Sequence, residues 1–246
     1  MNSLHASYRR IAPVALALCV LLPGCATPQR PDPMEAMNRK VFAFNESVDK
    51  AVLAPVARGY VRTVPDPVRR SVGNVLANPM DIGSALNLFL QGRPIDGLSD
   101  VARVTTNTTV GVLGIFDVAT PLGLARHGED FGQTLGRWGF NPGAYVVWPL
   151  LGPSSVRESV AIPVDLVSSP SFGVAAMPLQ FVHTRSTLLS VTSMLDDIAL
   201  DRYLFVRDAY LQRRQSLVHD GNPPNDSAAV SFARPDSFNP QDLADE

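Results

Sequence analysis

The sequence predicts an all-α fold, and three observations predict it. Met37, Val41, Phe44, Val48 and Val52 recur at intervals of three and four, which is the period of one helix face and not the alternation of a strand. A second apolar segment is punctuated as a helical hairpin, with Asp81 before it, Gly92 after it and Pro94 placed to open the next helix. Towards the C-terminus, Leu188, Val191, Leu195 and Ile198, then Leu204, Leu211 and Leu217, keep the same helical spacing.

The chain opens with a different kind of signal. Arg9 and Arg10 precede an apolar run from Ile11 to Leu22, the charged and apolar regions of a secretory signal peptide over residues 1–24. A run of this length is too short to cross a bilayer as a helix. It ends in Leu22-Pro23-Gly24-Cys25, which is similar to the bacterial lipobox, so Cys25 is expected to become the acylated first residue of the mature chain. By resemblance to lipoproteins in general, an aspartate just after the cysteine would retain the protein in the inner membrane, and Ala26 and Thr27 stand here instead, which favours the outer membrane. Residues 25–33 read as a polar, proline-containing tether between lipid and fold.

The helix marked by Met37 to Val52 is expected to end before Pro55, because proline lacks the amide that would continue it. In the second segment, Ile82, Leu86, Phe89 and Leu90 lie between the capping Asp81 and Gly92, giving an αα-hairpin. Residues 109–153 are apolar but cut by Gly111, Gly114, Pro121, Gly123, Gly139, Pro142, Gly143 and Pro149, so they form no transmembrane helix. Broken backbone of this kind is tolerated at membrane depth only where protein buries it or it lines a wet cavity. Trp138, Tyr145 and Trp148 lie here, with rings suited equally to a membrane interface and to a core. Ser155-Val156-Arg157-Glu158 fits a capping box, predicting a helix that starts there and breaks near Pro163. Two helices separated near Asp201 follow. Residues 34–220 thus form one helical domain, and residues 221–246, rich in Asn, Asp, Pro and Ser, read as a disordered acidic tail.

Composition excludes several functions. Loss of Arg9 and Arg10 leaves 19 basic against 23 acidic residues, a net charge of −4, with no basic run to neutralise a phosphate backbone, so nucleic acid is not an expected partner. Cys19 leaves with the signal and Cys25 is modified, so no thiol remains for disulfides, metal or nucleophilic catalysis. His127, His183 and His219 stand far apart, and no metal is expected. No serine sits in a Gly-x-Ser-x-Gly elbow, and Ser154 and Ser155 read as helix caps. Glu129-Asp130 reads as the acidic start of a helix rather than an acid–base pair, and Asp196-Asp197 is the other acidic pair. No catalytic residue and no cofactor is expected.

Six strings in order carry a family resemblance: Asp32-Pro33-Met34-Glu35-Ala36-Met37-Asn38-Arg39-Lys40-Val41-Phe42-Ala43-Phe44-Asn45, then residues 87–92 (Asn-Leu-Phe-Leu-Gln-Gly), 114–119 (Gly-Ile-Phe-Asp-Val-Ala), 129–136 (Glu-Asp-Phe-Gly-Gln-Thr-Leu-Gly), 150–157 (Leu-Leu-Gly-Pro-Ser-Ser-Val-Arg) and 206–214 (Val-Arg-Asp-Ala-Tyr-Leu-Gln-Arg-Arg). Over residues 31–214 the chain resembles the MlaA, or VacJ, lipoprotein family. The resemblance implies a ring-like helical protein lying in the inner leaflet of the outer membrane, on its periplasmic side, with an amphipathic channel through it. It also implies removal of misplaced outer-leaflet phospholipid, a periplasmic lipid-carrier protein that receives it, and a trimeric porin that holds the lipoprotein. Signature positions are Asn38, Glu129, Gly132, Gly136, Gly152, Ser154, Arg157, Arg207 and Asp208. Phe42, Phe44 and Asn45 are candidates for the membrane-facing helix, and Phe116, Asp117, Trp138, Tyr145 and Trp148 for the channel and its loops. Exposing an acyl chain to water costs about 0.8 kcal/mol per methylene, so moving a two-chain lipid needs a shielded path and no catalytic group. Two other classes remain as alternatives: a lipoprotein that scaffolds porins or other envelope proteins, and a phospholipase, which free fatty acid release would reveal.

Overall fold

A computed structural model describes residues 32–169, 176–192 and 200–223. The signal region, Cys25, Leu195, Ile198, Asp196-Asp197 and the tail from residue 224 onward lie outside the described residues. The elements are α1 (Glu35–Val48), a π-turn (Asp49–Leu53), α2 (Ala54–Thr63), α3 (Asp66–Ala77), α4 (Met80–Leu90), α5 (Pro94–Thr109), α6 (Phe131–Arg137), β1 (Tyr145–Trp148), β2 (Gly152–Ser155), α7 (Val156–Ser168), α8 (Met177–Thr187) and α9 (Arg202–Val218). The chain is nearly all-α, as expected, with one antiparallel hairpin pairing Tyr145 with Ser155 and Trp148 with Gly152.

Helix α1 ends at Val48, but the helical backbone does not break before Pro55 as the sequence predicts. The Ala54 amide reaches five residues back to Asp49 O, and this wider turn carries the chain into α2 with Pro55 in its first turn, where its missing amide costs nothing. The hairpin of α4 and α5 forms as the punctuation predicts. Gly92 takes φ +75°, its amide bonds Phe89 O at 3.1 Å, and Arg93 N bonds Leu88 O at 2.9 Å. Asp81, however, caps nothing: the helix starts one residue earlier and turns this carboxylate into the interior.

Helix α7 starts after Ser155 as the capping box predicts, but the serine hydroxyl bonds the Glu158 carboxylate instead of an amide. Ser154 belongs to β2 and is not a cap. Pro163 does not break α7, which runs on to Ser168; Ala161 and Arg157 are buried on its inner side, and this packing holds the helix across the proline. Helix α9 begins where expected, with the Asp201 side chain accepting from Leu204 N at 3.1 Å. The tether is shorter than expected, since Asp32 is already buried in the fold and accepts from Asn38 and from the Tyr203 hydroxyl.

One apolar cluster holds the hairpin to α1 and α9: Tyr145, Val147 and Tyr203 are buried, with Val41, Phe42, Leu204, Tyr210 and Leu211 packed on them. Phe42 packs against the Tyr203 ring in an edge-to-face arrangement at 5.5 Å, and the Arg39 guanidinium lies over that ring at 4.5 Å.

Candidate functional site

Polarity in this molecule is inverted relative to a water-soluble domain. Of the ten largest fully buried side chains among the described residues, only Leu88 is wholly apolar; Arg103, Gln133, Asn38, Asn87, Thr134 and Asp100 are among the others. Large apolar side chains stand outside instead: Phe44 is 52% exposed, Leu113 71% and Ile95 81%. The stripe that predicted α1 is largely outward, with Met37, Phe44 and Val52 exposed, while Val41 packs on the inner cluster. So many exposed large apolar side chains point to contact with lipid or protein, and polar groups gathered inside are what a chain surrounded by hydrocarbon requires. Among the described residues no helix is long and apolar enough to cross a membrane.

The interior network explains where the broken stretch satisfies its polar groups. Arg103, from α5, is 1% exposed and binds Asp117 at 3.2 Å, Thr120 Oγ1 at 3.2 Å, Asp81 at 3.4 Å and the Leu124 carbonyl. Arg126 binds Asp81 from the loop side at 3.0 Å. Asn107 Oδ1 accepts from Val118 N at 2.8 Å and Ala119 N at 2.9 Å. Ser84 joins the same system, donating to Asp100 at 2.5 Å and accepting from Glu129 N at 2.9 Å, while His127 Nδ1 lies 2.9 Å from Asp100. Residues 110–130 are therefore fixed by side chains of α4 and α5 together with their own backbone turns, among them Phe116 N to Gly111 O at 2.9 Å and Leu124 N to Ala119 O at 3.1 Å. Burial pushes the Asp81 carboxyl above the ordinary carboxylate range, against the charges of Arg126 and Arg103. For Asp117 burial acts upward too, but hydrogen bonds from Thr120 and Asn107 and the Arg103 charge outweigh it and hold the group down to about 2.

A second device fixes the hairpin. Asn38 Nδ2 donates to Tyr145 O at 2.9 Å and its Oδ1 accepts from Val147 N at 2.9 Å. Asn45 repeats the pattern two turns later, donating to Trp148 O at 2.9 Å and accepting from Leu150 N at 2.8 Å. Seven helical residues rise about 10.5 Å and three strand residues about 10 Å, so α1 presents two amides at a spacing that reaches both ends of β1. The hairpin tip bears exposed Leu150, at φ +64°, and Leu151.

Behind the hairpin lies a cavity of about 340 Å³ with amphipathic walls. Trp148, Leu151 and Ile162 supply apolar surface; Asp130, Glu158, Asp165, Tyr210 and Arg214 supply polar surface. Asp130 caps α6 by accepting from Gln133 N at 2.8 Å, as the acidic start of that helix predicts, and it also takes two bonds from Arg214. Burial raises the Asp130 carboxyl, and the Arg214 bond and charge and the Gln133 amide reverse the shift, leaving it below the ordinary range. Asp165 accepts from Phe131 N at 2.8 Å and is pushed upward by burial.

The sequence-nominated residues divide accordingly. Trp148 lines the cavity rim, its indole donating to Ser159 Oγ at 2.8 Å. Tyr145 does not line it: this residue is fully buried and packs the core. Trp138 is half exposed and donates to Leu90 O at 3.2 Å, while Phe116 is exposed on the loop and Asp117 belongs to the interior network. Phe44 faces outward, Phe42 packs inward, and Asn45 clamps the hairpin. Among the signature positions, Glu129 receives Gln91 at 3.0 Å and Arg93 at 3.4 Å, Arg157 pairs with Glu158 at 2.6 Å, Arg207 pairs with Asp208 at 2.8 Å, and Ser154 lies 3.2 Å from Ser159 Oγ. A Cβ on Gly136 would meet Val218 at 2.7 Å and Arg157 at 2.8 Å, and one on Gly132 would meet Arg214 at 3.0 Å, so both glycines let α6 approach its neighbours; Gly152 takes φ +85° at the start of β2. Sequence reading missed Arg103, Asp81, Asn107 and Asp100; the signal available was a set of polar residues repeating on α4 and α5 where a buried face was due.

A polar interior, an apolar exterior and an amphipathic cavity define a class, the helical protein built to present apolar surface outward. The family model of the MlaA lipoprotein matches residues 30–217. The chain is 34% identical over 223 residues to the intermembrane phospholipid transport system lipoprotein MlaA of Escherichia coli strain K12, covering 84% of this chain and 88% of that protein. The protein of the same name from Haemophilus influenzae is 29% identical over 225 residues, with 84% and 90% covered. A solved structure from work on the maintenance of bacterial outer membrane lipid asymmetry superposes with a TM-score of 0.69 at 34% identity, covering 77% of this chain and all of the other. The chain belongs to the MlaA lipoprotein family.

Proposed function

We propose that this protein is a non-enzymatic phospholipid conduit of the outer membrane, anchored through acylated Cys25 on the periplasmic side. It withdraws misplaced phospholipid from the outer leaflet and releases it to a periplasmic carrier, with a trimeric porin as its membrane partner. The observation that carries this reading is the inverted polarity: an exterior on which Phe44, Ile95 and Leu113 are exposed, around buried Arg103, Asp100 and Gln133. Such a body rests in acyl chains without a spanning helix, and its interior provides the polar surroundings that a headgroup needs. The cavity beneath the hairpin combines Trp148, Leu151 and Ile162 with Asp130, Glu158 and Arg214, which suits a molecule that is half apolar and half charged. Relatives named for intermembrane phospholipid transport support the same role.

The test is surface-exposed phospholipid, read through outer-membrane phospholipase A activity, in cells lacking the protein and in cells complemented with wild type or Cys25→Ala. Deletion is expected to raise surface phospholipid, and only the acylatable protein is expected to reverse it. Unchanged surface lipid in the deletion removes the reading and favours a porin scaffold.

A further inference from the structure

The charges around the cavity under the hairpin do not balance. Three carboxylates line it, those of Asp130, Glu158 and Asp165, against one guanidinium, that of Arg214. Asp130 takes two bonds from Arg214. Glu158 takes Arg157 at 2.6 Å, Arg214 at 3.1 Å and the Ser155 hydroxyl. Asp165 has no cationic partner among the described residues: one oxygen accepts from Phe131 N, and the other has no partner and is not sealed from solvent. The protonation equilibria divide the same way. Burial pushes all three carboxyls upward; hydrogen bonds and the arginine charges reverse the shift at Asp130 and Glu158, while Asp165, with the Asp130 charge adding to burial, stays above the ordinary range.

Helix α7 joins this carboxylate to the apolar wall. Glu158, Ala161, Ile162 and Asp165 follow the spacing of one helix face, and all four line the cavity. That face therefore carries a neutralised acid, then an apolar stretch, then a free acid about 10.5 Å further along. Val160, Val164 and Val167, on the other side of α7, are exposed. A helix whose outer side rests in hydrocarbon bears a high cost for an unpaired ion, and such an ion marks a functional position. Holding the Phe131 amide accounts for one oxygen of Asp165 but not for its charge, because an asparagine oxygen accepts equally well.

We propose that Asp165 selects the headgroup: it receives the ammonium of an ethanolamine phospholipid whose apolar part lies against Ile162, Leu151 and Trp148. The proposal rests on the lipid-conduit reading and names the lipid class that this cavity takes. Charge selects the occupant. With Arg214 set against Asp130 and Arg157 against Glu158, one negative charge is left over, and it is that of Asp165. An anionic headgroup finds no cation here, since the terminal nitrogens of Arg214 are engaged by carboxylates and its unpartnered Nε is buried out of reach. Phosphatidylglycerol thus meets repulsion, whereas an ethanolamine lipid brings the missing cation with it.

Full-length acylated protein in nonionic detergent is titrated with dioleoyl phosphatidylethanolamine, dioleoyl phosphatidylglycerol and dioleoylglycerol, which share their acyl chains. Wild type is expected to bind phosphatidylethanolamine about fivefold more tightly than phosphatidylglycerol, the scale of one partly exposed charge pair. Asp165→Asn keeps an acceptor for the Phe131 amide and is expected to bring the two phospholipids level. Its affinity for dioleoylglycerol is expected to match wild type, which a misfolded variant would not show. Equal wild-type affinities for the two phospholipids, a preference that survives Asp165→Asn, or dioleoylglycerol bound as tightly as phosphatidylethanolamine overturns the proposal. In cells lacking the wild-type protein, Asp165→Asn is expected to clear surface phosphatidylglycerol while surface phosphatidylethanolamine, read with a membrane-impermeant amine reagent, stays high. A deletion that raises surface phospholipid and is corrected for both lipids by Asp165→Asn removes the selection and leaves the conduit standing, whereas a deletion without effect removes the conduit itself.

Discussion

Arg103 and Arg62 are the same residue in opposite situations. Arg103 sits in the interior with Asp117, Asp81, Thr120 and a carbonyl around its guanidinium, while Arg62 stands at the α2–α3 corner with no partner among the described residues. The first is part of what holds the fold; the second is free to meet something else. The difference teaches where stability lies in a protein of inverted polarity: it depends on partners gathered around buried charge, and an exposed charge that the fold has not paired adds little to it.

The sharpest way to break that contrast is Arg103→Met. Removing the guanidinium leaves Asp81 with Arg126 as its cation, takes from Asp117 its only cationic partner among the described residues and loosens the loop from α5, and a loss of about 3 kcal/mol follows from leaving charge less compensated in the interior. Reversible denaturation of the detergent-solubilised protein reads it, and a change below about 1 kcal/mol would mean that the loop is held by other groups.

The two clamping asparagines refine the point within one device. Asn38→Ala leaves Tyr145 O and Val147 N unpaired in the core and is expected to cost about 1–3 kcal/mol. Asn45→Ala frees exposed groups that water can satisfy and is expected to cost well under half as much. Hydrogen exchange at Val147 and Leu150 in the two variants reports whether the hairpin frays from its base or its tip. Equal effects would mean that the clamp acts as one unit.

The interior network also predicts a pH response. Asp117 is held at about 2 in the fold against an ordinary 3.8, so its contribution is fully present above about pH 4 and is lost as the pH falls towards 2. Asp117→Asn is expected to flatten the acid limb of the stability profile in that window while lowering stability at pH 7. A variant whose acid limb matched wild type would assign the response to other carboxylates. The smallest expected effect lies at the other end of the comparison: Arg62→Gln should change stability by less than about 0.5 kcal/mol, because nothing in the fold is paired with it. A larger loss would place this arginine among the structural ones.

Much of the helical framework was legible because its signals are local. Gly92 followed by Pro94, Asp201 before α9 and Asp130 before α6 each bond to groups within a few residues, so the sequence window contains both partners. The failures share the opposite property. Asp81 reads as a cap from its neighbours, yet its partners are Arg103 and Arg126, 22 and 45 residues away. The hairpin escaped notice because β1 is four residues long and its outer edge is completed by Asn38 and Asn45, more than 100 residues earlier. Pro55 and Pro163 were read as breaks because a single helix was weighed alone; a π-turn and the packing of α7 absorb them.

By itself the sequence determined the helical class, the family signature over residues 31–214 and the presence of an apolar stripe on α1. It could not determine which way that stripe faces. Periodicity records that one side of a helix is apolar, and the pattern is the same whether that side packs a core or meets lipid. Only the tertiary structure decided the matter, because it filled the interior with Arg103, Asp100, Asn38 and Asn87, each hydrogen-bonded to other groups of the fold, and left Met37, Phe44 and Val52 outside. Once buried polar groups satisfy one another, the apolar face has no core left to join, and the outside must supply its partner.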